Sequence, residues 1–403
     1  MRTFDYQAKD TSTNKVIKST VQADTEQSAA KLLIEQGFVP LDIKEQSGDS
    51  NFFARLTGRI TTKDKTVFSR QLATLISAGL PLSQSLRTVL DQTENKRMQS
   101  VVQDIITSVE GGKSLAKAFA NHPDVFSNVF LSLVAAGELS GTLDESLRRI
   151  SEQQEKDAAM NSKIRGALVY PVIVLVVIFG VMGFMLFTVV PQVEKLYEDL
   201  HKTLPLLTHV MVVAANFIIS FWWLLIIIAI IAVYFLVQYL KTDSGIRNMD
   251  LVKLNAPMFG KMFRKLYMAR FCRTGQTLMA SGVSMLDMLR INSTAVNNTI
   301  IGKGITRAAE KVKGGKALSA SIKPEPYFMP LVPQMISIGE QSGQIDQMLG
   351  KTAKIYEDEL DEEVKAISTA IEPVLMVVLA VVAGGMVAAI LLPIYQLVGT
   401  MNV

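Results

Sequence analysis

Gly137-Glu138-Leu139-Ser140-Gly141 recurs about 200 residues further along the chain as Gly339-Glu340-Gln341-Ser342-Gly343. Other residues recur at nearly the same distance: Phe68 and Arg70 return as Phe271 and Arg273, and Gly111-Gly112-Lys113 returns as Gly314-Gly315-Lys316. Both copies then continue into an apolar stretch. Solenoid repeats have periods of about 20–50 residues, so a match over this distance indicates a duplicated domain.

Composition indicates a membrane protein with large parts outside the bilayer. Hydrophobic residues make up 49% of the 403 residues, and they are concentrated in a few segments. The single cysteine, Cys272, excludes an internal disulfide framework and any cysteine-built zinc site or iron–sulfur cluster. A net charge of +4 is too small to argue for nucleic acid. No charged segment followed by a short apolar core opens the chain, so no signal peptide is expected.

Three segments are long and apolar enough to cross a bilayer. The first is Ala167–Val190, which contains no charged side chain, and the third runs from Val374 to about Leu397. The second apolar run, from about Val210 to Leu240, is longer than a membrane needs. Trp222, Trp223 and Tyr239 are typical interfacial aromatics, which predicts that only Phe221–Leu240 lies in lipid and that Leu206–Ser220 is a helical extension.

The distribution of lysine and arginine predicts the topology. Two duplicated halves should work in one compartment, and the unpaired middle span returns the chain to it. Basic residues flank the spans on the side of the two halves, whereas the connection between spans one and two is balanced by acidic residues. These basic residues are Lys163, Arg165, Lys241, Arg247, Lys253, Lys261, Arg264, Lys265, Arg270 and Arg273. We therefore expect both halves and the N-terminus in the cytoplasm and the C-terminus outside.

The apolar pattern of each half predicts helices throughout. Met98, Val101, Val102, Ile105, Ile106 and Val109 fall on one face of an α-helix. Glycines and prolines mark helix ends, and a bundle of about six helices per half results. The predicted fold class is mostly α: a polytopic membrane protein with two homologous cytoplasmic six-helix bundles, three transmembrane helices and a small N-terminal α+β module.

That module has a different pattern. Thr3–Tyr6, Val16–Val21 and Phe38–Ile43 read as strands, and Glu26–Gln36 reads as an amphipathic helix closed by Gly37. Ser47–Gly58 is predicted to be a linker. The predicted boundaries are 1–46 for the module, 47–62 for the linker, 63–166 for bundle one, 167–190 for span one, 191–209 for an external loop, 210–240 for span two, 241–372 for bundle two, 373–398 for span three and 399–403 for an external tail.

The repeated pentapeptide has two interpretations. In the first it is a tight turn between helices. Its glycines give backbone freedom, its serine caps a helix, and its carboxylate stabilises the N-terminus of the next helix. The glycines are Gly137, Gly141, Gly339 and Gly343, and the serines are Ser140 and Ser342. In the second, Glu138 and Glu340 contact a partner directly. The two interpretations are compatible.

Two arginines, two prolines and an acidic run accompany the turns. Arg70 and Arg273 are interpreted as surface arginines that lie along apolar side chains, or alternatively as groups that grip an acidic partner loop. Pro171 and Pro373 are interpreted as helix-entry or kink positions rather than gating hinges. The acidic run Asp358–Glu363 is interpreted as a solvated face.

No nucleotide site, metal site or catalytic site is predicted. Gly112-Lys113-Ser114 resembles the end of a phosphate-binding loop but lacks the glycine that such a loop needs at position 107. Glu152 and Glu155 could supply oxygen ligands to a calcium ion, but two carboxylates one turn apart are common in helices, and no cofactor is predicted. No nucleophile with a plausible base is visible.

The duplicated helical domain, the Gly-Glu-x-Ser-Gly turns, the segment Lys163–Pro171 and the Phe4-x-Tyr6-x-Ala8 opening together resemble one family over nearly the whole chain. This is the inner-membrane platform protein of type IV pili and type II secretion systems, called PilC in pili and GspF in secretion, and the resemblance is greatest to PilC. The second copy departs from the pattern, because Glu372 stands where the first copy has Tyr170.

The resemblance implies a non-enzymatic scaffold that couples a cytoplasmic hexameric assembly or retraction ATPase to the insertion or extraction of pilin subunits. It also implies that the chain associates with other inner-membrane platform proteins and with further copies of itself. The spans are expected to contact the lipid bilayer, and no nucleic acid is expected as a partner. Within the family, the alternative is a type II secretion protein F that drives a pseudopilus. A small transporter or channel subunit is the alternative from another class, although its spans would normally need polar residues.

Overall fold

The computed structural model describes residues 2–10, 16–23, 28, 30, 38–45, 59–199, 206–257 and 259–401. Its contacts divide the chain into two compact units. The first comprises Met1–Thr61 with Glu94–Ser100, and the second comprises Thr62–Thr93 with Val101–Val403. The predicted linker Ser47–Gly58 lies outside the described residues, and so does the predicted helix Glu26–Gln36 apart from Ser28 and Ala30, which are helical.

The N-terminal unit contains a three-stranded antiparallel sheet in the order β2-β1-β3. Its strands are β1 (Arg2–Asp10), β2 (Val16–Ala23) and β3 (Phe38–Glu45), each longer than the sequence pattern suggested. Strand β1 is central and pairs Phe4 with Val21 on one side and with Glu45 on the other. The register against β3 shifts between Gln7 and Ala8, where a bulge interrupts the ladder.

The first bundle consists of six helices in the described part of the chain. They are α1 (Thr62–Ser77), α2 (Leu82–Gln92), α3 (Lys96–Glu110), α4 (Leu115–Ala120), α5 (Asn128–Ser140) and α6 (Leu143–Phe184). Gly79, Gly112 and Gly141 have positive φ angles at the ends of α1, α3 and α5, as expected for residues that end helices in the left-handed conformation. The side chains of Phe68, Phe119, Phe126 and Phe130 form an aromatic cluster in the interior, with ring centroids 4.6–6.1 Å apart.

The second bundle repeats this plan and adds one helix at its start. The additional helix is α9 (Asp243–Asn255), which precedes the six helices that the sequence predicted for this half. The repeated helices are α10 (Phe259–Ala280), α11 (Met285–Ala295), α12 (Thr299–Lys313), α13 (Leu318–Ile322), α14 (Leu331–Ser342) and α15 (Ile345–Met401). The carboxylate of Asp250 in α9 accepts hydrogen bonds from the backbone N–H and the hydroxyl of Thr299, at 2.7 and 2.8 Å. Helix α9 is therefore attached to the N-terminus of α12.

Three helices are long and apolar enough to cross a membrane, which confirms the three predicted spans. The first and the third are continuous with the last helix of their bundle, because α6 and α15 enter the apolar region without a break. Pro171 and Pro373 lie inside these helices, so neither marks a helix entry. A proline removes one helical hydrogen bond, which membrane helices tolerate.

The connection between spans one and two is helical where the structure describes it, so the predicted external loop 191–209 is corrected. A π-helical turn (Met185–Val189) leads into α7 (Val190–Asp199), and α8 (Leu206–Lys241) follows. Val190 packs with Val212 and Ala215 of α8, and Glu194 accepts hydrogen bonds from Asn216. In α8 the backbone leaves helical geometry at Phe221, the residue where the sequence placed the start of the lipid-embedded part.

Cys272 is fully buried in α10. Burial raises the pKa of its thiol far above the ordinary value, so little reactive thiolate forms. We expect a maleimide to leave Cys272 unlabelled both in intact cells and in inverted vesicles, and to label it after denaturation. Labelling of the native protein would contradict the burial. Topology is better tested with a cysteine at exposed Ile355, which should react only in inverted vesicles.

The close approach of α14 and α15 generates a second prediction. A Cβ at Gly339 would lie 2.7 Å from the Cα of Ile345 and 3.2 Å from its N atom. We expect Gly339→Ala to destabilise the protein by roughly 1–3 kcal/mol, because backbone atoms must shift to admit the methyl group. Thermal exposure of Cys272 to a thiol-reactive dye measures the loss. Gly166→Ala, whose added Cβ meets nothing within 4 Å, is the control; equal melting temperatures for the two variants would refute the explanation.

Candidate functional site

The first repeated turn links α5 to α6, and its two glycines have different roles. Gly141 ends α5 with a φ of 74°, a conformation that favours glycine. Gly137 lies against α6, where an added Cβ would clash with Oγ of Ser146 and lie 3.1 Å from the Cα of Leu143. The turn therefore brings two antiparallel helices to a distance that only glycine at position 137 permits.

Glu138 points back to α4, not to the next helix as the turn interpretation supposed. Its carboxylate accepts hydrogen bonds from the backbone N–H groups of Leu115 (2.7 Å) and Ala116 (3.2 Å). Ser114 accepts the N–H of Lys117 at 3.4 Å. These bonds satisfy three of the four N–H groups that a helix N-terminus leaves without partners, and the negative charge lies at the positive end of the helix dipole.

The second turn has the same geometry. The carboxylate of Glu340 accepts hydrogen bonds from the backbone N–H groups of Leu318 (2.5 Å) and Ser319 (3.3 Å). It also accepts a hydrogen bond from the hydroxyl of Ser319. The residue that caps α13 here is Ala317, which has no side-chain oxygen. Glu340 is therefore the main side-chain partner of this helix N-terminus, whereas Glu138 shares that role with Ser114.

The serines of the turns do not cap the following helices. The hydroxyl of Ser140 donates to the carbonyl of Ala136 at 2.8 Å, and that of Ser342 donates to the carbonyl of Ile338 at 2.9 Å. Thr142 occupies the position before α6 and makes no side-chain capping bond. Both serines therefore stabilise the last turn of the helix that is ending.

Arg70 and Arg273 both bind a glutamate on the last helix of their own bundle. Nε of Arg70 lies 2.5 Å from Oε1 of Glu155, and Nε of Arg273 lies 2.8 Å from Oε1 of Glu357. Arg273 is bidentate, since its Nη2 donates to Oε2 of Glu357 at 2.8 Å. The two pairs occupy equivalent positions and tie α1 to α6 in the first bundle and α10 to α15 in the second.

The acidic run of α15 is only partly solvated, which corrects the sequence interpretation. Glu359 and Glu363 both contact Nζ of Lys265 in α10, at 3.3 and 2.8 Å. Asp361 contacts Nζ of Lys163 in α6 at 2.5 Å. Asp358 and Glu362 are the members of the run that face solvent.

The carboxylates considered as calcium ligands are engaged elsewhere. Glu152 accepts a hydrogen bond from Nη1 of Arg148 at 2.9 Å, and Glu155 binds Arg70. Among the described residues, no group of three or more histidine, cysteine, aspartate or glutamate side chains converges as a metal site would require. His122 contacts Asp104, with Nε2 2.8 Å from Oδ2.

Sequence reasoning missed the interface between the two bundles. The side chain of Gln153 in α6 bonds to the hydroxyls of Thr274 and Thr277 in α10, at 3.5 and 3.3 Å. Arg270 donates to Asn161 across the same interface at 2.9 Å. Polar pairs give no periodic signal in a sequence, so only the packing reveals this contact.

A cavity of about 210 Å³ adjoins that interface, between α5 and α6 of the first bundle and α10 and α11 of the second. Asp157 lines it, and burial raises the pKa of its carboxyl group despite the nearby charge of Arg270. Oδ1 of Asp157 and Oε1 of Gln154 have no hydrogen-bond partner in the described part of the chain. The cavity is large enough to hold water, and its lining combines apolar side chains with the polar groups of Gln153, Gln154, Asp157 and Thr274.

Comparison with known families agrees with this duplicated architecture. Residues 68–191 and 271–393 each match the family described as type II secretion system (T2SS), protein F. Residues 1–44 match the N-terminal domain of type II secretion system protein F. The two longer matches coincide with the two copies of the bundle and its following span. The chain belongs to the type II secretion system protein F family.

Individual relatives match between 91% and 100% of the chain. It is 35% identical over 407 residues to the type IV pilus assembly protein PilC of Thermus thermophilus, with 100% of both chains covered. It is 35% identical to the PilC protein of Pseudomonas aeruginosa, covering 91% of this chain and 97% of that one. It is also 34% identical to the type II secretion system protein F of Pseudomonas aeruginosa, covering 98% and 99%. Both branches of the family are thus represented among its relatives.

The two glutamates of the turns should differ in their importance for stability. We expect Glu340→Ala to lower the free energy of unfolding by about 2 kcal/mol. The variant loses hydrogen bonds to a charged group, and Ala317 offers no side-chain oxygen to replace them at the N-terminus of α13. Glu138→Ala should cost about 1 kcal/mol, because Ser114 remains. Thermal unfolding followed by circular dichroism in detergent measures both, with exposed Gln341→Ala as the control. An equal loss for the two glutamate variants would contradict this assignment.

Proposed function

We propose that this protein is the inner-membrane platform of a type IV pilus assembly machine, which couples a cytoplasmic hexameric ATPase to the insertion and extraction of pilin subunits. The support is the combination of the family, the full-length similarity to PilC proteins and the direct continuation of each bundle into a membrane span. In this proposal the protein itself performs no catalysis.

The proposed orientation places both bundles and the N-terminus in the cytoplasm and the C-terminus outside. Lysines and arginines next to the spans on the bundle side support it through the positive-inside bias. The helix α7 and the start of α8 then lie outside the membrane. Acidic Glu194, Glu198 and Asp199 on α7 offset Lys195, as expected for an external segment.

The mechanical part of the proposal depends on the rigidity of helices. A force on the first bundle acts on α6, whose downstream half is span one, and salt bridges from α6 carry it to α15. Lys163 contacts Asp361, and Lys156 contacts Glu357 at 3.7 Å. Displacement of one bundle therefore moves spans one and three together, and pilins beside these spans would be displaced with them.

The turn between α5 and α6 is the motor contact that we propose. From Leu143 to the start of the first span at Ala167, α6 extends about 36 Å at 1.5 Å per residue, so this turn is at the membrane-distal end of the bundle. Leu139 within it is 90% exposed, although its neighbours Gly137 and Glu138 are used internally. An apolar side chain held outward by a rigid turn is suited to a pocket on a protein partner.

A type II secretion platform that drives a pseudopilus is the second candidate. It is favoured by the 34% identity, over nearly both full lengths, to the secretion protein F of Pseudomonas aeruginosa. The same geometry serves either machine, because both would require a membrane component that transmits motor movement.

Removing the protein tests the role. A strain that lacks it should carry no surface pili, while the ATP hydrolysis of the purified motor is unchanged. Full-length protein should restore piliation. Unchanged piliation in the deletion strain would refute the proposal, and loss of exoprotein secretion with normal piliation would favour the second candidate.

Leu139→Gln tests the motor contact separately. This substitution converts the first turn into the sequence of the second, Gly-Glu-Gln-Ser-Gly, so the fold should be preserved. We expect several-fold less ATPase to co-purify with the full-length protein and fewer pili to form, because the exposed apolar contact is lost. Gln341→Ala is the matched control on the second turn. Normal ATPase recovery with Leu139→Gln would exclude this turn as the contact.

A further inference from the structure

Helix α9 is the helix of the second bundle that has no counterpart in the first, and it begins where the chain leaves the membrane. Span two ends at Lys241, and α9 starts two residues later at Asp243. No candidate span precedes the first bundle among the described residues. The extra helix is therefore found only where a bundle follows a membrane span.

Two hydrogen bonds of a threonine and one glycine fix the corner between α8 and α9. The hydroxyl of Thr242 donates to the carbonyl of Tyr239 at 2.7 Å and accepts the N–H of Gly245 at 3.1 Å. A Cβ at Gly245 would overlap the carbonyl oxygen of Tyr239, so this close approach requires glycine. Asn248 donates to the phenol oxygen of Tyr239 at 2.7 Å. The first two turns of α9 therefore stay beside the end of span two.

One face of α9 lies against Tyr239 and continues as an exposed apolar surface. Gly245 and Asn248 form the part that lies against Tyr239. Met249 and Val252 follow Gly245 at positions i+4 and i+7, which are on the same side of a helix. Their side chains are 38% and 62% exposed. Because Tyr239 has the position of an interfacial aromatic residue, this apolar surface faces the headgroup layer of the bilayer.

A groove of about 390 Å³ adjoins the same corner, between the first turns of α9 and those of α12. Two basic side chains, two hydroxyl groups, one apolar side chain and one carboxylate line it: Arg247, Lys303, Ser244, Thr299, Ile246 and Asp243. Arg247 and Lys303 are exposed, and neither has an ion pair within the part of the chain that the structure describes. The groove therefore has an excess of positive charge close to the end of a membrane span.

We propose that α9 is an interfacial helix that binds an anionic phospholipid. Met249 and Val252 enter the boundary between headgroups and acyl chains, and the phosphate of a lipid headgroup lies in the groove between Arg247 and Lys303. Helices that lie on a membrane combine buried apolar area with attraction between basic side chains and anionic lipids. Both components are present here on one short helix and its neighbour.

The apolar face and the basic groove together favour a lipid over a soluble anion. A free phosphate ion would contact Arg247 and Lys303 but would leave Val252 in water. A phospholipid supplies an anionic group and acyl chains at the depth where span two ends. The surface is therefore matched to a lipid by its position as well as by its chemistry.

Lipid bound at α9 would also hold the second bundle. Asp250 of α9 binds Thr299 at the N-terminus of α12, so a contact between α9 and the bilayer is transmitted to the core of that bundle. The inference goes beyond the proposed coupling to a motor and does not depend on it.

Fluorescence quenching in reconstituted vesicles tests the apolar contact. The full-length chain with Cys272→Ser is the background, since the first bundle has Ser69 at the equivalent position. We expect a fluorescent thiol probe on Val252→Cys to be quenched several-fold more strongly by quenchers attached to lipid near the headgroup than by aqueous iodide.

Ile338→Cys is the matched control for this measurement. Ile338 is 51% exposed in the last turns of α14, at the membrane-distal end of the bundle, so its probe should be quenched mainly by iodide. If iodide quenches the probes at Val252 and Ile338 equally, the proposal is wrong. Protection of the Val252 probe from both quenchers would show that protein covers this face and would also overturn the proposal.

Thermal stability with added lipid tests the groove. In neutral detergent, phosphatidylglycerol should raise the melting temperature of the full-length protein by several degrees, because the lipid binds the folded state. Arg247→Gln combined with Lys303→Gln should lose most of this increase and keep the melting temperature measured without lipid, since both side chains are exposed. Lys313→Gln with Lys316→Gln removes the same charge near the other end of α12 and should retain the increase.

Three results of the stability measurement would overturn the proposal. A full increase in the Arg247 and Lys303 double variant would exclude the groove as the headgroup site. An equal increase with phosphatidylcholine would show that the negative charge of the lipid is not recognised. An equal increase with inorganic phosphate would identify a site for a soluble anion.

Discussion

The constraint on which the rest of the structure depends is that one uninterrupted helix serves each bundle both as its last core element and as its membrane span. Helix α6 runs from Leu143 to Phe184, and α15 runs from Ile345 to Met401. A continuous helix does not permit the free rotation that a flexible linker would, so each bundle is held at a defined height and orientation over the bilayer. This explains why contacts between the bundles can be specific, polar and directional.

The repeated turns keep each bundle rigid enough for that role. A glutamate in each turn binds the N-terminus of a short helix more than twenty residues earlier in the chain. A glycine in each turn lets its own helix pack closely against the helix that follows. The most characteristic residues of the sequence are thus used inside the bundle. At the first turn the side chain that faces outward is Leu139, and the second copy has Gln341 at this position.

The two halves differ in one helix, one helix cap and the exposure of one ion pair. Helix α9 has no counterpart in the first bundle, and Ala317 replaces the capping serine of the first copy. The arginine–glutamate pair is retained in both halves but is shielded only in the second. The two similar bodies pack on each other through unlike faces, because α6 of the first contacts α10 of the second.

The sequence by itself determined the duplication, the three spans, the helical bundles and the small sheet, because apolar periodicity, turn residues and span length are local properties of the chain. The interfacial aromatic residues of the sequence also indicated Phe221 as the start of the lipid-embedded part, and this is where the backbone of α8 leaves helical geometry. The direction of Glu138, the partners of Arg70 and the acidic run, the burial of Cys272 and the helical nature of residues 190–199 were decided by the tertiary structure. Each of these depends on which helices come together in space, and pairings between residues more than twenty positions apart leave no periodic trace in a single sequence.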